Sequence, residues 1–156
     1  MTGVQTCALP ISDLADARRR ATGTRAGEFY SRYSNPTVRA FEEAIAELEG
    51  SESSLAFASG MGAVSTVVLA LCSSGDHIVA QRNLYSATLS FLQGPCARLG
   101  IDVTFVDASR PGAFAEAVRP GRTMLALAET PSNPTLGIVD LDELGSLRGQ
   151  IGRAHV

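Results

Sequence analysis

FYSRYSNPT, Phe29 to Thr37, sets an aromatic hydroxyl (Tyr30) and a guanidinium (Arg32) two residues apart, just ahead of a helix start. In extended backbone, residues i and i+2 point the same way, so the two side chains can converge on one anion. The planar fork of an arginine suits a phosphate. The helix start is carried by Asn35 or Ser34 as N-cap, with Pro36 in the first turn. Val38, Phe41, Ile45 and Leu48 then recur at helical spacing, and Gly50 supplies the stop. Glu42, Glu43, Glu47 and Glu49 fall largely on the remaining faces and are expected to be solvated.

Beyond this helix the chain alternates. Leu55 to Ala58 reads as a strand and Gly62 to Cys72 as a buried helix. His77 to Ala80 reads as a strand and Tyr85 to Leu99 as a helix that Gly94-Pro95 should bend or break. Asp102 to Val106 and Thr123 to Ala128 are further strands. A short helix lies between them at Phe114 to Val118, and another follows at Leu141 to Leu147 with Asp140 as N-cap. Strands alternating with helices, and lacking polar alternation, indicate a mostly parallel sheet with helices on both faces.

Composition limits the function classes. At 156 residues the chain fits one domain, and 45% hydrophobic with 19% charged residues is a globular balance. A net charge of -3 gives no basic footprint for nucleic acid. No apolar run reaches membrane-spanning length and no signal peptide is evident, which points to the cytoplasm. Cys7, Cys72 and Cys96 match no metal spacing, and an odd count argues against a disulfide framework, so buried free thiols are expected. No His/Cys/carboxylate cluster resembles a metal site, and His77, opening a strand, is taken as structural.

Two more segments carry chemistry. Ser59-Gly60-Met61-Gly62 sits where a strand gives way to a helix, and glycines there let backbone N–H groups approach an anion. An ordinary strand-to-helix turn would use the same glycines. Glu129-Thr130-Pro131-Ser132-Asn133-Pro134-Thr135 follows the most apolar strand, and its prolines fix a loop around Asn133. A rigid turn in which Asn133 bonds its own backbone is the plainer alternative. Tyr85 lies just past a strand end, where ligands of open α/β sheets gather, though a packing tyrosine at a helix start would look the same.

FYSRYSNPT, ASGMG and ETPSNPT, in this order, resemble the Cys/Met-metabolism (trans-sulfuration) family of pyridoxal-phosphate (PLP) enzymes, over roughly Arg25 to Arg148. The resemblance implies the large domain of the aspartate-aminotransferase-like fold (fold type I), truncated. It implies PLP as cofactor, with Gly60 and Met61 donating backbone N–H groups to its phosphate. Tyr85 would stack on the ring and shuttle a proton, and Asn133 would donate to the phenolic oxygen. Glu129 would support the loop or the cofactor face. Tyr30 and Arg32 would reach the phosphate of a neighbouring subunit in a homodimer or homotetramer. The expected chemistry is γ-elimination or γ-replacement on homoserine esters or sulfur amino acids. Ser86 and Ala87 depart from the small glycine-type and cysteine residues usual after this tyrosine, which weakens a methionine γ-lyase assignment.

All 13 basic residues are arginine, and there is no lysine. The family holds PLP on a Schiff-base lysine, which follows an aspartate for the pyridinium nitrogen. The chain is therefore expected to be an inactive N-terminal piece of such an enzyme. A non-catalytic phosphate- or nucleotide-binding α/β module is the rival class, and in it ETPSNPT has no role.

Both ends read as foreign to the fold. MTGVQTCALPIS, residues 1–12, resembles a frame translation of a short-read sequencing adapter, and residues 151–156 back-translate as ATC GGA AGA GCA CAC GTC, resembling its companion. A natural N-terminus and a natural short C-terminus are the alternative. On this reading residues 13–34 are an N-terminal arm and 35–150 a partial PLP-binding domain. Sequencing the underlying DNA should return adapter codons at both ends, and codons that differ at several positions would contradict an adapter origin.

Overall fold

The computed structural model describes residues 35–152. Tyr30, Arg32, Cys7, His155 and the 13–34 arm lie outside the described residues. The chain divides between Phe57 and Ala58 into two compact units.

In the first unit, α1 (Pro36–Glu49) starts as its sequence specifies. Asn35 is the N-cap, its side-chain oxygen accepting from the N–H groups of Thr37 at 2.9 Å and Val38 at 3.3 Å. Gly50 ends the helix in the left-handed region at φ 62°, and Ser51 N–H returns to the Ala46 carbonyl at 2.9 Å. Two expectations fail here. Leu55 to Ala58 forms no strand. This stretch is tied to Glu42 instead: Ser54 Oγ donates to the Glu42 carbonyl at 2.7 Å, and Ala56 N–H donates to Glu42 Oε1 at 2.8 Å. Glu42 is thus a backbone acceptor rather than a merely solvated charge. The apolar stripe of α1 stays exposed at Val38, Phe41 and Leu48, and Ala46 alone is buried on this helix. Helical spacing reveals a stripe and says nothing of the surface that would cover it.

The second unit is built on α2 (Gly60–Leu71), β1 (His77–Gln81), α3 (Ser86–Phe91), β2 (Asp102–Val106), α4 (Ala113–Ala117), β3 (Thr123–Leu127) and α5 (Leu141–Ser146). The strands form a parallel sheet in the order β2-β1-β3. Strand β1 pairs with β2 from His77↔Asp102 to Gln81↔Val106, and with β3 as far as Ala80↔Leu127. Its residues alternate between two cores. Ile78 and Ala80 pack with Val68, Leu92 and Cys96, while Val79 packs with Phe114, Val139 and Leu147. Both faces are covered, which explains apolar strands without polar alternation. The helix expected over Tyr85–Leu99 is present, but Gly94-Pro95 does not break it. A π-helical turn, Leu92–Cys96, absorbs the proline, whose missing N–H and ring would disrupt a regular turn. Helix α2 begins two residues earlier than expected, because Ser59 caps it through Gly62 N–H at 3.0 Å.

Polar groups brace the sheet at its amino end. His77 is fully buried on the central strand, with Nδ1 2.8 Å from Thr123 Oγ1 on β3 and Nε2 2.8 Å from Thr104 Oγ1 on β2. Burial, reinforced by the nearby Arg119 guanidinium, holds its pKa below the usual histidine value. Cys72 and Cys96 are buried free thiols, and burial with the Asp76 charge pushes Cys72 to about 11. Asp140 caps α5 through Asp142 and Glu143 N–H groups. Glu143 in turn accepts from Gly112 N–H at 3.1 Å and Phe114 N–H at 3.3 Å, capping α4 from a neighbouring element.

Two stability predictions follow from these groups. Because the fold lowers the His77 pKa, the unfolded chain binds the proton more readily, so stability falls as pH drops through the unfolded histidine range. The urea midpoint should decrease from pH 7 to pH 5.5, and His77→Gln should flatten that decrease; an equal decrease in both proteins would contradict the assignment. Glu143→Ala removes a cap and should cost about 1 kcal/mol in denaturant unfolding.

Candidate functional site

The order β2-β1-β3 places the chain's reversal of direction at β1: the connection after β1 leads to one side, and β3 lies on the other. Open parallel sheets leave a crevice at such a point, beyond the carboxyl ends of the strands. A cavity of about 590 Å³ lies there. Its lining comes from the start of α2 (Ser59, Gly60, Met61), the segment after β1 (Leu84, Tyr85) and the end of β3 with its following loop (Leu127, Ala128, Glu129, Asn133). Five of the residues singled out in the sequence, Gly60, Met61, Tyr85, Glu129 and Asn133, thus share one cavity.

The start of α2 is prepared for an anion. Ser59 occupies two amides of the first turn, Gly62 N–H with its hydroxyl at 3.0 Å and Ala63 N–H with its carbonyl at 3.1 Å. The Gly60 and Met61 amides open the helix, where N–H groups have no intrahelical acceptor and the helix dipole is positive. A Cβ built on Gly60 meets nothing within 4 Å, so this residue faces open space. Met61 is held from below: Thr88, buried on α3, donates its hydroxyl to Met61 Sδ at 3.4 Å.

Opposite the helix start, Glu129 ties two loops together. Its Oε2 accepts from Tyr85 N–H at 2.9 Å and its Oε1 from Asn133 N–H at 3.1 Å. The carboxylate therefore joins the two loops, one oxygen to each, while Glu129 also lines the cavity. Tyr85 is the N-cap residue of α3, remains 46% exposed and lines the cavity. The loop carrying Asn133 is knotted around Ser132, which is 2% exposed. Ser132 N–H donates to the Gly137 carbonyl at 2.9 Å, and its Oγ accepts from Gly137 N–H at 3.0 Å. A Cβ on Gly137 would come within 3.1 Å of that hydroxyl. The Thr130-Pro131 and Asn133-Pro134 peptides are cis.

Gln81 was not singled out in the sequence. It is 1% exposed and its amide bonds the backbone of Glu129 in both directions, Oε1 accepting from N–H at 3.0 Å and Nε2 donating to C=O at 3.1 Å. The available signal was a polar residue closing the apolar run HIVAQ. Gln81 also lines a smaller cavity of about 190 Å³ with Arg82, Asp107 and Ser109. Among the described residues no cluster of His, Cys, Asp or Glu could hold a metal, and no helix is long and apolar enough to cross a membrane.

Comparison with known proteins gives this geometry a family. The family model for Cys/Met metabolism PLP-dependent enzymes matches residues 4–154. The chain is 44% identical over 133 residues to an O-succinylhomoserine sulfhydrylase of Pseudomonas aeruginosa, covering 85% of this chain and 33% of the relative. It is 38% identical over 144 residues to a cystathionine gamma-lyase of Bacillus subtilis, covering 92% and 38%. An L-methionine gamma-lyase of Porphyromonas gingivalis is 37% identical, with 88% and 34% covered. Among solved structures, an O-acetylhomoserine sulfhydrylase of Wolinella succinogenes superimposes with TM-score 0.69 at 38% identity, covering 75% of this chain and 33% of that one. A Campylobacter jejuni structure described as an O-acetylhomoserine (thiol)-lyase, which carries a pyridoxyl-lysine monophosphate, gives TM-score 0.79 at 26% identity, with 96% and 36% covered. The chain spans about a third of the length of these relatives. It belongs to the Cys/Met metabolism family of PLP-dependent enzymes.

Proposed function

We propose that this chain supplies the phosphate-holding and ring-facing side of a PLP site in an enzyme of γ-elimination or γ-replacement. The substrates would be homoserine esters or sulfur amino acids. The observation that carries the proposal is the convergence, in one cavity, of two opening helix amides (Gly60, Met61), an aromatic face (Tyr85) and an asparagine (Asn133). This set fits PLP group by group. A phosphate suits the start of α2, where N–H groups and dipole act together. A planar heteroaromatic ring suits Tyr85, and its phenolic oxygen suits an amide donor from Asn133.

When bound, PLP supplies an electron sink for charge developing at the substrate's α-carbon. The chain's own residues position and protect. Gly60 and Met61 fix the phosphate end, so the ring cannot slide along the crevice. Tyr85 covers one face, and its phenolic O–H can donate a proton from Oη to the departing γ-substituent. Glu129, engaged with both loops, keeps Tyr85 and Asn133 at a constant separation. Thr88 steadies Met61.

Among the described residues the cavity lining contains no cation, and Glu129 is its one carboxylate. A dianionic phosphate calls for positive charge, which Arg32, with Tyr30 beside it, would bring from a neighbouring subunit. We therefore propose a homodimer or homotetramer, acting in the cytoplasm on small amino-acid substrates. The buried, unpaired thiols of Cys72 and Cys96 fit a reducing compartment. The lysine that would hold PLP covalently is not in this sequence.

Two measurements test this reading. Mixed with PLP, the 156-residue protein should bind it reversibly, and borohydride should leave no pyridoxyl group on an internal residue. A reduced adduct at a single internal site, or no saturable binding at millimolar PLP, would contradict it. In the full-length enzyme, Arg32→Ala should weaken PLP retention about tenfold, through loss of a charge-assisted phosphate contact. Unchanged affinity would remove Arg32 from the site.

A further inference from the structure

We propose that Gln81 is a positioning residue for this site, acting through Glu129 to set the separation of the Tyr85 and Asn133 loops. The inference rests on the proposed PLP function for its consequence, while the clamp itself stands on geometry. The ladder between β1 and β3 ends at Ala80↔Leu127. Beyond it the two chains must diverge to open the crevice, and their backbone groups lose their partners. Gln81 replaces the missing rung. Its primary amide offers one acceptor and two donors in a plane, the same groups a strand presents. Oε1 takes Glu129 N–H at 3.0 Å, and Nε2 gives to Glu129 C=O at 3.1 Å and to the Asn83 carbonyl. Two carbonyls on one side and an N–H on the other leave a single amide orientation that satisfies all three.

The amide therefore fixes three things at once. It holds the residue after β3 against β1, it holds the segment leading to Tyr85 through Asn83, and it orients the backbone from which the Glu129 carboxylate projects. That carboxylate then receives Tyr85 N–H and Asn133 N–H. Gln81 does not line the 590 Å³ cavity. It touches no proposed ligand position, so its influence on the site passes entirely through Glu129 and Asn83. Serine or asparagine at this position would be too short to reach across, and an apolar residue would leave a buried N–H and two carbonyls unpaired.

The test is amide hydrogen exchange together with ligand binding on the 156-residue protein. Gln81→Met keeps an unbranched side chain of similar length and removes the amide. Exchange at Tyr85 and Asn133 N–H should accelerate about tenfold, while Val79 N–H in the centre of β1 stays within about twofold of the unaltered protein. PLP affinity should fall about tenfold, and inorganic phosphate affinity, set at Gly60 and Met61, should not change. In a Glu129→Ala background, Gln81→Met should add nothing further at the Asn133 amide, which Gln81 reaches only through the Glu129 side chain. Exchange at Tyr85 and Asn133 unchanged in Gln81→Met would overturn the proposal. Equal acceleration at Val79 would overturn it too, because Gln81 would then stabilise the sheet at large. If Gln81→Met fails to fold, Gln81→Glu keeps the Oε1 acceptor and loses the donors; tight protection at both amides in that variant would likewise overturn the proposal. Absence of PLP binding by the unaltered protein, with the exchange pattern as stated, would reject the proposed function and leave the clamp supported.

Discussion

The carboxylate of Glu129 is the constraint on which the crevice depends. A parallel sheet opens where its strands stop pairing, and the loops beyond have no ladder to fix their distance. Here one side chain reaches both loops, with Oε2 on Tyr85 N–H and Oε1 on Asn133 N–H. Hydrogen bonds from amides to a carboxylate are stronger than those between neutral groups, and both satisfy backbone donors at the cavity wall. Remove the carboxylate, and the tyrosine and the asparagine are each held only by their own loop. Gln81 underlies this arrangement by holding the backbone of Glu129 itself.

Around that clamp the fold separates structural from functional chemistry. The amino end of the sheet carries His77 between two threonines and Asp102 between Arg119 at 3.3 Å and Arg122 at 3.1 Å. These exposed ion pairs add little energy individually, and their place is far along the strands from the crevice. The carboxyl end has backbone amides, an aromatic ring and one engaged carboxylate. In the proposed function that end takes an anionic, planar ligand, and the rigid sheet beneath gives the loops a fixed base.

Much of this was legible in the sequence, for identifiable reasons. Asn35-Pro36 and Gly50 are local signals, and local hydrogen bonds deliver them. The apolar runs at His77, Asp102 and Thr123 became strands because both sheet faces are buried. Gly60, Met61, Tyr85, Glu129 and Asn133 were picked out by motif and share one cavity. What escaped depends on long-range partners. Leu55 to Ala58 has strand character but forms no strand, and Ala56 N–H takes the Glu42 carboxylate as its partner instead. The link from Gln81 to Glu129 spans 48 positions, and no spacing rule exposes it. The π-helical turn at Pro95 was readable as a disturbance, but its form follows from the packing of Leu92 and Cys96 into the core.

The chain spans about a third of the length of its relatives, and in the proposed function it contributes one side of a site. That side is testable by itself, residue by residue. The most direct measurement is a backbone amide chemical-shift titration of the 156-residue protein with PLP. The account predicts saturable shifts concentrated at Gly60, Met61, Tyr85 and Asn133, with the first two reproduced by inorganic phosphate alone. Shifts concentrated instead at Arg82, Asp107 and Ser109, around the smaller cavity, or no saturable shifts at all, would contradict it.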